Sequence, residues 1–244
     1  EGFWAGDKGA EGRLKSLVTS ETQMIEHKGV DPIRLKNFVR LMITSNEDWV
    51  IPAGKDERRF CVLDVAPHCA QNSEYFGEMA KEMAEGGREA LLHDLLTFDL
   101  GSVNLRQIPY TEGLLEQKLR SLDTVESWWF ERLMTGTPTR KVEYWRTDMV
   151  IDEMFDDYIE GADRIGVKRK SELTAFGIKM KKLVPEIERK RLSTNTGHME
   201  TKRLWHYLLP PLAACRAQFE REVKQAVNWD DGSEPGETGS EGGN

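Results

Sequence analysis

LMITSNEDWVIPAGKDERRFCVLDV, residues 41–65, sets two apolar runs on either side of a polar loop. The first run starts at Phe38: FVRLMIT (38–44) is rich in strand-forming residues and stops abruptly at Ser45-Asn46-Glu47. A loop with Pro52, Gly54 and several charges follows, and Arg59-Phe60-Cys61-Val62-Leu63-Asp64-Val65 reads as a second strand of the buried type. Upstream, Leu14, Leu17 and Val18 stand at i, i+3, i+4 and predict an amphipathic helix over 10–19. Between them TQMIEHKGVDPIRLKN (22–37) places two short runs around a Lys-Gly-Val-Asp-Pro turn and predicts a hairpin. Downstream, 73–85 and 87–98 read as helices parted at Gly86-Gly87. Helix, hairpin, strand, loop, strand, helices is the order of the later half of an α/β domain.

Further along, Leu114, Leu115, Leu119, Leu122, Trp128, Trp129 and Leu133 mark one or two helices over 112–135, with the two tryptophans expected to pack between domains. A polar break at Gly136-Thr137-Pro138-Thr139 predicts a domain boundary. A helix over 147–161 opens the next block, and a second begins with Ser171 as N-cap and carries Leu173, Phe176 and Met180. Residues 186–207 then read as a hairpin with Asn195-Thr196-Gly197 at its tip. Helix, helix, basic hairpin is the order of a winged helix. The Gly/Glu/Ser-rich tail from Asp230 onward is expected to be disordered.

Composition narrows the classes. The chain has 244 residues, 39% hydrophobic and 31% charged, enough for one large or two modest cores and too apolar for a disordered chain. No apolar run reaches the roughly 18 residues of a membrane span, which predicts a protein with no membrane partner. EGFWAGDKGAEGRLK (1–15) lacks the apolar segment of a signal peptide, and it opens without Met, which predicts a piece of a longer protein. Three widely spaced cysteines (Cys61, Cys69, Cys215) argue against a disulfide framework and lack zinc-ligand spacing. His68, His93, His198 and His206 have no ligand partners at metal spacing, so no metal site is expected. A reducing cytoplasm fits this usage.

Charge is uneven. Between Arg164 and Arg203 twelve bases face four acids, a local +8 in a chain of net charge -8. On the second helix of this block, Lys179 and Lys182 share a face and Lys181 points elsewhere; the hairpin carries Arg189, Lys190, Arg191, Lys202 and Arg203. Such a patch fits DNA phosphates, with salt-sensitive binding and little sequence preference, because no Asn or Gln accompanies the helix bases to read an adenine edge. The plainer account is a basic face that solubilises a small domain.

The opening stretch also carries chemistry. In ring NTPases an amide at a strand's end holds the attacking water near a γ-phosphate, and an arginine after the following loop reaches the neighbouring subunit's nucleotide. Asn46 and the Arg58-Arg59 pair stand in that order. Taken alone, a strand-capping Asn and a solvated Arg pair account for them equally simply.

The run EGFWAGDKGAEGRLKSLVTSETQMIEHKGVDPIRLKNFVRLMITSNEDWVIPAGKDERRF (1–60), followed by LRSLDTVESWWFERL and LLPPLAACRAQFE, resembles the superfamily 3 helicases, in the phage and prophage primase-helicase branch related to the poxvirus type. The resemblance extends to about residue 229. It implies α/β followed by mostly α: a truncated AAA+-like core over 1–110, a helical linker over 111–140, a winged helix over 141–229 and an acidic tail over 230–244. It implies an ATP-dependent replicative helicase, with ATP and Mg2+ as cofactors, hexamer assembly, single-stranded DNA as partner and the cytoplasm of a bacterial host as location. Glu1 then matches the second acid of Walker B, Asn46 matches sensor 1, and Arg59 is the arginine finger, with Arg58 as runner-up. His27 and Lys28 match the tip of the hairpin that grips single-stranded DNA, while Lys36 lies on its return. G-x-x-x-x-G-K-[ST] does not occur in the sequence, so the implied ATPase belongs to a longer parent and this chain alone is expected to be inactive. A non-catalytic winged-helix or replication-accessory protein is the alternative, and a third is a basic patch that binds the chain's own acidic tail or a protein partner.

Overall fold

A computed structural model describes residues 8–104, 107–195 and 201–229, which fall into two units. Glu1, residues 196–200 of the hairpin tip and the tail from 230 lie outside the described residues. The first unit takes the chain through Ala53 together with Glu57–Gln117, and the second takes Gly54–Asp56 and the chain from Lys118. Gly136 thus lies within the second unit. No helix of the described residues is long and apolar enough to cross a membrane.

In the first unit, α1 (Lys8–Thr19) buries Leu14, and β1 (Thr22–His27) pairs antiparallel with β2 (Val30–Lys36). The turn is tighter than the sequence implied: Lys28 and Gly29 make it, Gly29 supplies the left-handed conformation (φ +81°), and Asp31 and Pro32 sit inside β2. Asn37 fastens the hairpin to the helix. Its side-chain amide donates to the carbonyls of Leu17 (2.8 Å) and Ser20 (2.7 Å), two orphan acceptors at the end of α1.

Neither expected strand forms. Residues 38–44 and 60–65 have no ladder partner among the described residues, and a lone strand leaves its backbone groups to water. Met42 is 91% exposed and Val65 93%. The second run still alternates: Phe60 and Val62 pack with Val50 against Ile51, Ala53 and Leu114, while Cys61, Leu63 and Val65 face outward. Side chains tie this core to α4 (Glu112–Arg120), which follows α2 (Ser73–Glu82) and α3 (Arg88–Thr97) along the chain. Buried Gln117 accepts the Val50 N–H (2.8 Å) and donates to the Asp48 carbonyl (2.7 Å). The α2–α3 junction is a wide turn over Met83–Gly87 with Gly86 at φ +108°, and neither helix buries a residue.

The second unit holds the larger core. α5 (Thr124–Thr135) starts with a capping box, Asp123 accepting the Val125 and Glu126 N–H groups while the Glu126 side chain accepts the Asp123 N–H; it ends at Gly136 (φ +66°). Expected as one helix, 147–161 instead opens with β3 (Asp148–Val150) before α6 (Ile151–Arg164). α7 (Leu173–Leu183) has Glu172, not Ser171, at its N-cap, and the Ser171 N–H donates to the Tyr158 hydroxyl (2.8 Å). β4 (Glu188–Asn195) and β5 (Thr201–Leu208) pair antiparallel, and β3 adds to the other side of β5, giving the order β3-β5-β4. α8 (Leu212–Val223) completes the unit.

Trp128 and Trp129 pack inside this unit rather than between domains. Both are buried on α5, which packs against α6, α7 and α8. Phe176 stands 5.4 Å from both Trp128 and Tyr158, ring centre to ring centre, at the separation where aromatic pairs attract. Buried Asp157 accepts from Trp128 Nε1 (2.8 Å), the Arg140 N–H (2.8 Å) and Arg140 Nη1 (3.1 Å), so its charge is compensated. The three cysteines are free, and burial pushes the Cys215 thiol up to about 12, which keeps it protonated and unreactive.

Candidate nucleic-acid interface

Antiparallel register decides which side chains of the β4–β5 hairpin meet. Arg189 lies opposite Tyr207, Arg191 opposite Trp205 and Ser193 opposite Arg203, so these six share one face. Lys190, Leu192 and Thr194 lie opposite His206, Leu204 and Lys202 on the other face. Arg189, Lys190, Arg191, Lys202 and Arg203 are all exposed. Like charges this close repel, and the hairpin tolerates them because each side chain reaches water. Among the described residues, none of Arg189, Lys190, Arg191 and Arg203 pairs with a carboxylate. Arg191 Nε instead donates to the Arg203 carbonyl across the ladder (3.3 Å).

The Arg189 guanidinium sits 4.6 Å from the Trp205 ring centre, within cation–π range. Tyr207, next on that face, is buried; burial pushes its phenol up and the Arg189 charge pulls it partly back. On the far face, the Thr194 hydroxyl and His206 Nε2 share a hydrogen bond of 2.8 Å. The hairpin is thus anchored through Tyr207 and His206 near its base and charged along its length.

On α7 the two expected bases differ. Lys182 is exposed and has no carboxylate partner among the described residues. Lys179 Nζ lies 2.9 Å from Asp123 Oδ2, an oxygen of the α5 cap, so part of its charge is spent on structure. Lys181 points elsewhere, as expected, and its ammonium donates to the carbonyls of Pro185 (2.8 Å) and Ile187 (2.9 Å) just before β4.

The first unit does not gather its candidates. Asn46 is exposed in a bend, and among the described residues no hydrogen bond or ion pair joins it to Arg58 or Arg59. Buried Glu57 organises the arginine pair: its Oε1 accepts the N–H of Arg58 (2.9 Å) and of Arg59 (2.7 Å) and lies 3.5 Å from Arg59 Nη1. Arg58 is left as the more exposed of the two. Lys28 is exposed in the two-residue turn, and His27 is the last residue of β1. Among the described residues no group of three His, Cys, Asp or Glu side chains is arranged to hold a metal ion. With no phosphate loop in the sequence either, these residues do not by themselves form a nucleotide site.

Sequence reasoning missed Trp205 and Asp123. The first had a signal: Arg203-Leu204-Trp205-His206-Tyr207 alternates so that Arg203, Trp205 and Tyr207 fall on one face. The second had none, since Asp123 and Lys179 meet only through the packing of α5 on α7.

A family of unknown function (DUF5906) matches residues 1–59, the same stretch whose motif order carries the helicase resemblance. No curated protein and no solved structure matches the chain.

Proposed function

We propose that this chain is the DNA-contacting C-terminal part of an ATP-dependent replicative helicase of the superfamily 3, phage primase-helicase kind, with its second unit working as a winged helix. The observation that carries the proposal is the β4–β5 hairpin, where five exposed bases crowd two adjacent strands of a chain that is otherwise acidic. A concentration of charge that costs mutual repulsion makes physical sense where a polyanion offsets it. Strand order supports the reading too: β3, α6, α7, then a hairpin whose second strand returns between β3 and β4. In this reading ATP and Mg2+ act in the longer parent, which assembles as a hexamer. There Asn46 senses the γ-phosphate, Arg59 or the more exposed Arg58 completes the neighbour's site, and Lys28 holds single-stranded DNA.

The second reading is a non-catalytic winged-helix or replication-accessory protein. It is favoured by the buried Glu57 that engages Arg59 and, among the described residues, by the lack of a hydrogen bond or ion pair from Asn46 to Arg58 or Arg59. The gene separates the two: the helicase reading requires G-x-x-x-x-G-K-[ST], then an apolar run ending in Asp, encoded upstream of Glu1.

DNA contact is tested by fluorescence anisotropy over a salt series. Wild type should bind at low salt and weaken as salt rises, with a slope of about 0.9 per phosphate on duplex and about 0.7 on single strands. The triple change Arg189→Glu, Lys190→Glu, Arg191→Glu should abolish binding, and Lys28→Ala should weaken binding to single strands. No binding by wild type at low salt would leave the hairpin as a solvated face and sink both readings.

A further inference from the structure

Trp205 is the one exposed tryptophan among the described residues, 46% accessible, and it stands in the middle of the basic hairpin. Trp128 and Trp129 are buried, and Trp49, Trp145 and Trp229 are partly so. Leaving an indole in water forgoes burial that this ring would readily gain in a core, so its position calls for a partner. Among the described residues no aromatic ring pairs with it. Its neighbours on its face of the hairpin are Arg203 and Tyr207 along β5 and Arg191 opposite, and the guanidinium of Arg189 lies 4.6 Å from its ring centre. A flat aromatic ring ringed by arginines is complementary to a flat, electron-rich ring that carries phosphates on either side.

We propose that Trp205 is a stacking platform for an unpaired base of single-stranded DNA, with Arg191 and Arg203 holding the flanking phosphates and Arg189 orienting the indole. The proposal rests on the DNA-binding reading of the second unit and adds the form of DNA it prefers. Bases within a duplex already stack on each other and hide their faces, so only an unpaired base can use the indole. Stacking is indifferent to base identity, since every base has a π face. The arginines supply the salt-dependent part of the affinity and the indole a salt-independent part. Arg189 keeps its charge whether it lies on the indole or moves to a phosphate, so contact with DNA need not unpair a buried ion.

The test compares wild type, Trp205→Ala, Trp205→Phe and the double change Arg191→Ala, Arg203→Ala. Each is titrated as the full chain with a dT oligonucleotide of about 20 nucleotides and with a blunt duplex of equal length, read by anisotropy across salt. Trp205→Ala should cost roughly five- to hundred-fold on dT with an unchanged salt slope, while duplex affinity stays as in wild type. Trp205→Phe keeps a ring and should recover most of the loss, a rescue that a purely structural role in folding would not give to dT alone. The double arginine change should flatten the salt slope by about 1.4, two phosphates' worth on a single strand. Equal losses on both DNA forms, or no loss on dT, would overturn the stacking role while leaving DNA binding intact. If wild type binds neither DNA, the underlying reading fails and this one with it.

Discussion

Gly161 shows how one missing side chain holds a buried charge in place. A Cβ there would stand 2.7 Å from Arg140 Nη1 and 2.8 Å from Nη2, closer than such atoms approach. That guanidinium neutralises fully buried Asp157 and also reaches the Asp157 carbonyl (3.0 Å) and Glu131 (2.6 Å). Gly161→Ala must therefore shift the flexible end of that arginine, and weakening its bond to a buried carboxylate costs up to about 1–3 kcal/mol. The expected result is a lower urea midpoint for Gly161→Ala, with most of the loss absent when the same change is made in an Arg140→Ala background. Equal losses in both backgrounds would show that the added methyl acts on something other than the guanidinium, since helix propensity alone favours alanine. Sequence alone marked Trp128 and Trp129 as anchors but had no way to find Asp157, Arg140 and Gly161. Their meeting depends on the α5–α6 packing, and no local pattern encodes it.

At the scale of elements, α7 offers a paired comparison. Lys179→Ala removes the ion pair to the α5 cap and should lower the melting temperature slightly, since a partly exposed pair contributes about 0.2–1 kcal/mol. Lys182→Ala should leave the melting temperature unchanged and reduce the salt slope of DNA binding by up to one phosphate. A thermal melt beside an anisotropy series checks both; identical behaviour of the two variants would contradict the division of roles. The hairpins and most helices were legible because their periodicity is local: Leu14, Leu17 and Val18 gave α1, and the short runs of 22–37 gave β1 and β2. FVRLMIT and the run from Arg59 were legible only as strand-prone. A strand needs a neighbour, and pattern within one segment cannot supply it. β3 went unseen for the converse reason, being three residues long and created by its pairing with β5. Among the candidate sites, the charges of the hairpin were visible by counting and Trp205 by alternation along β5, whereas its place opposite Arg191 required the register.

Across the whole molecule, burial is unequal. The second unit buries an aromatic cluster around Trp128, Tyr158 and Phe176, while α2 and α3 bury nothing and show Phe76, Leu92, Leu95 and Leu96 to solvent. Hydrogen exchange followed by mass spectrometry should find amides of α5 and α6 slow and those of α2 and α3 fast, because exchange follows local opening. Equal protection would mean that another surface covers α2 and α3 in solution. Within the second unit, the hairpin is clamped to α7 through both of its strands. Lys181 grips the entry to β4, and the Tyr207 hydroxyl of β5 sits against Gly177, where a Cβ would stand only 3.2 Å away. Helix and hairpin are accordingly tied at two points, so a ligand docking on the hairpin would have few torsions left to freeze that the fold has not already frozen.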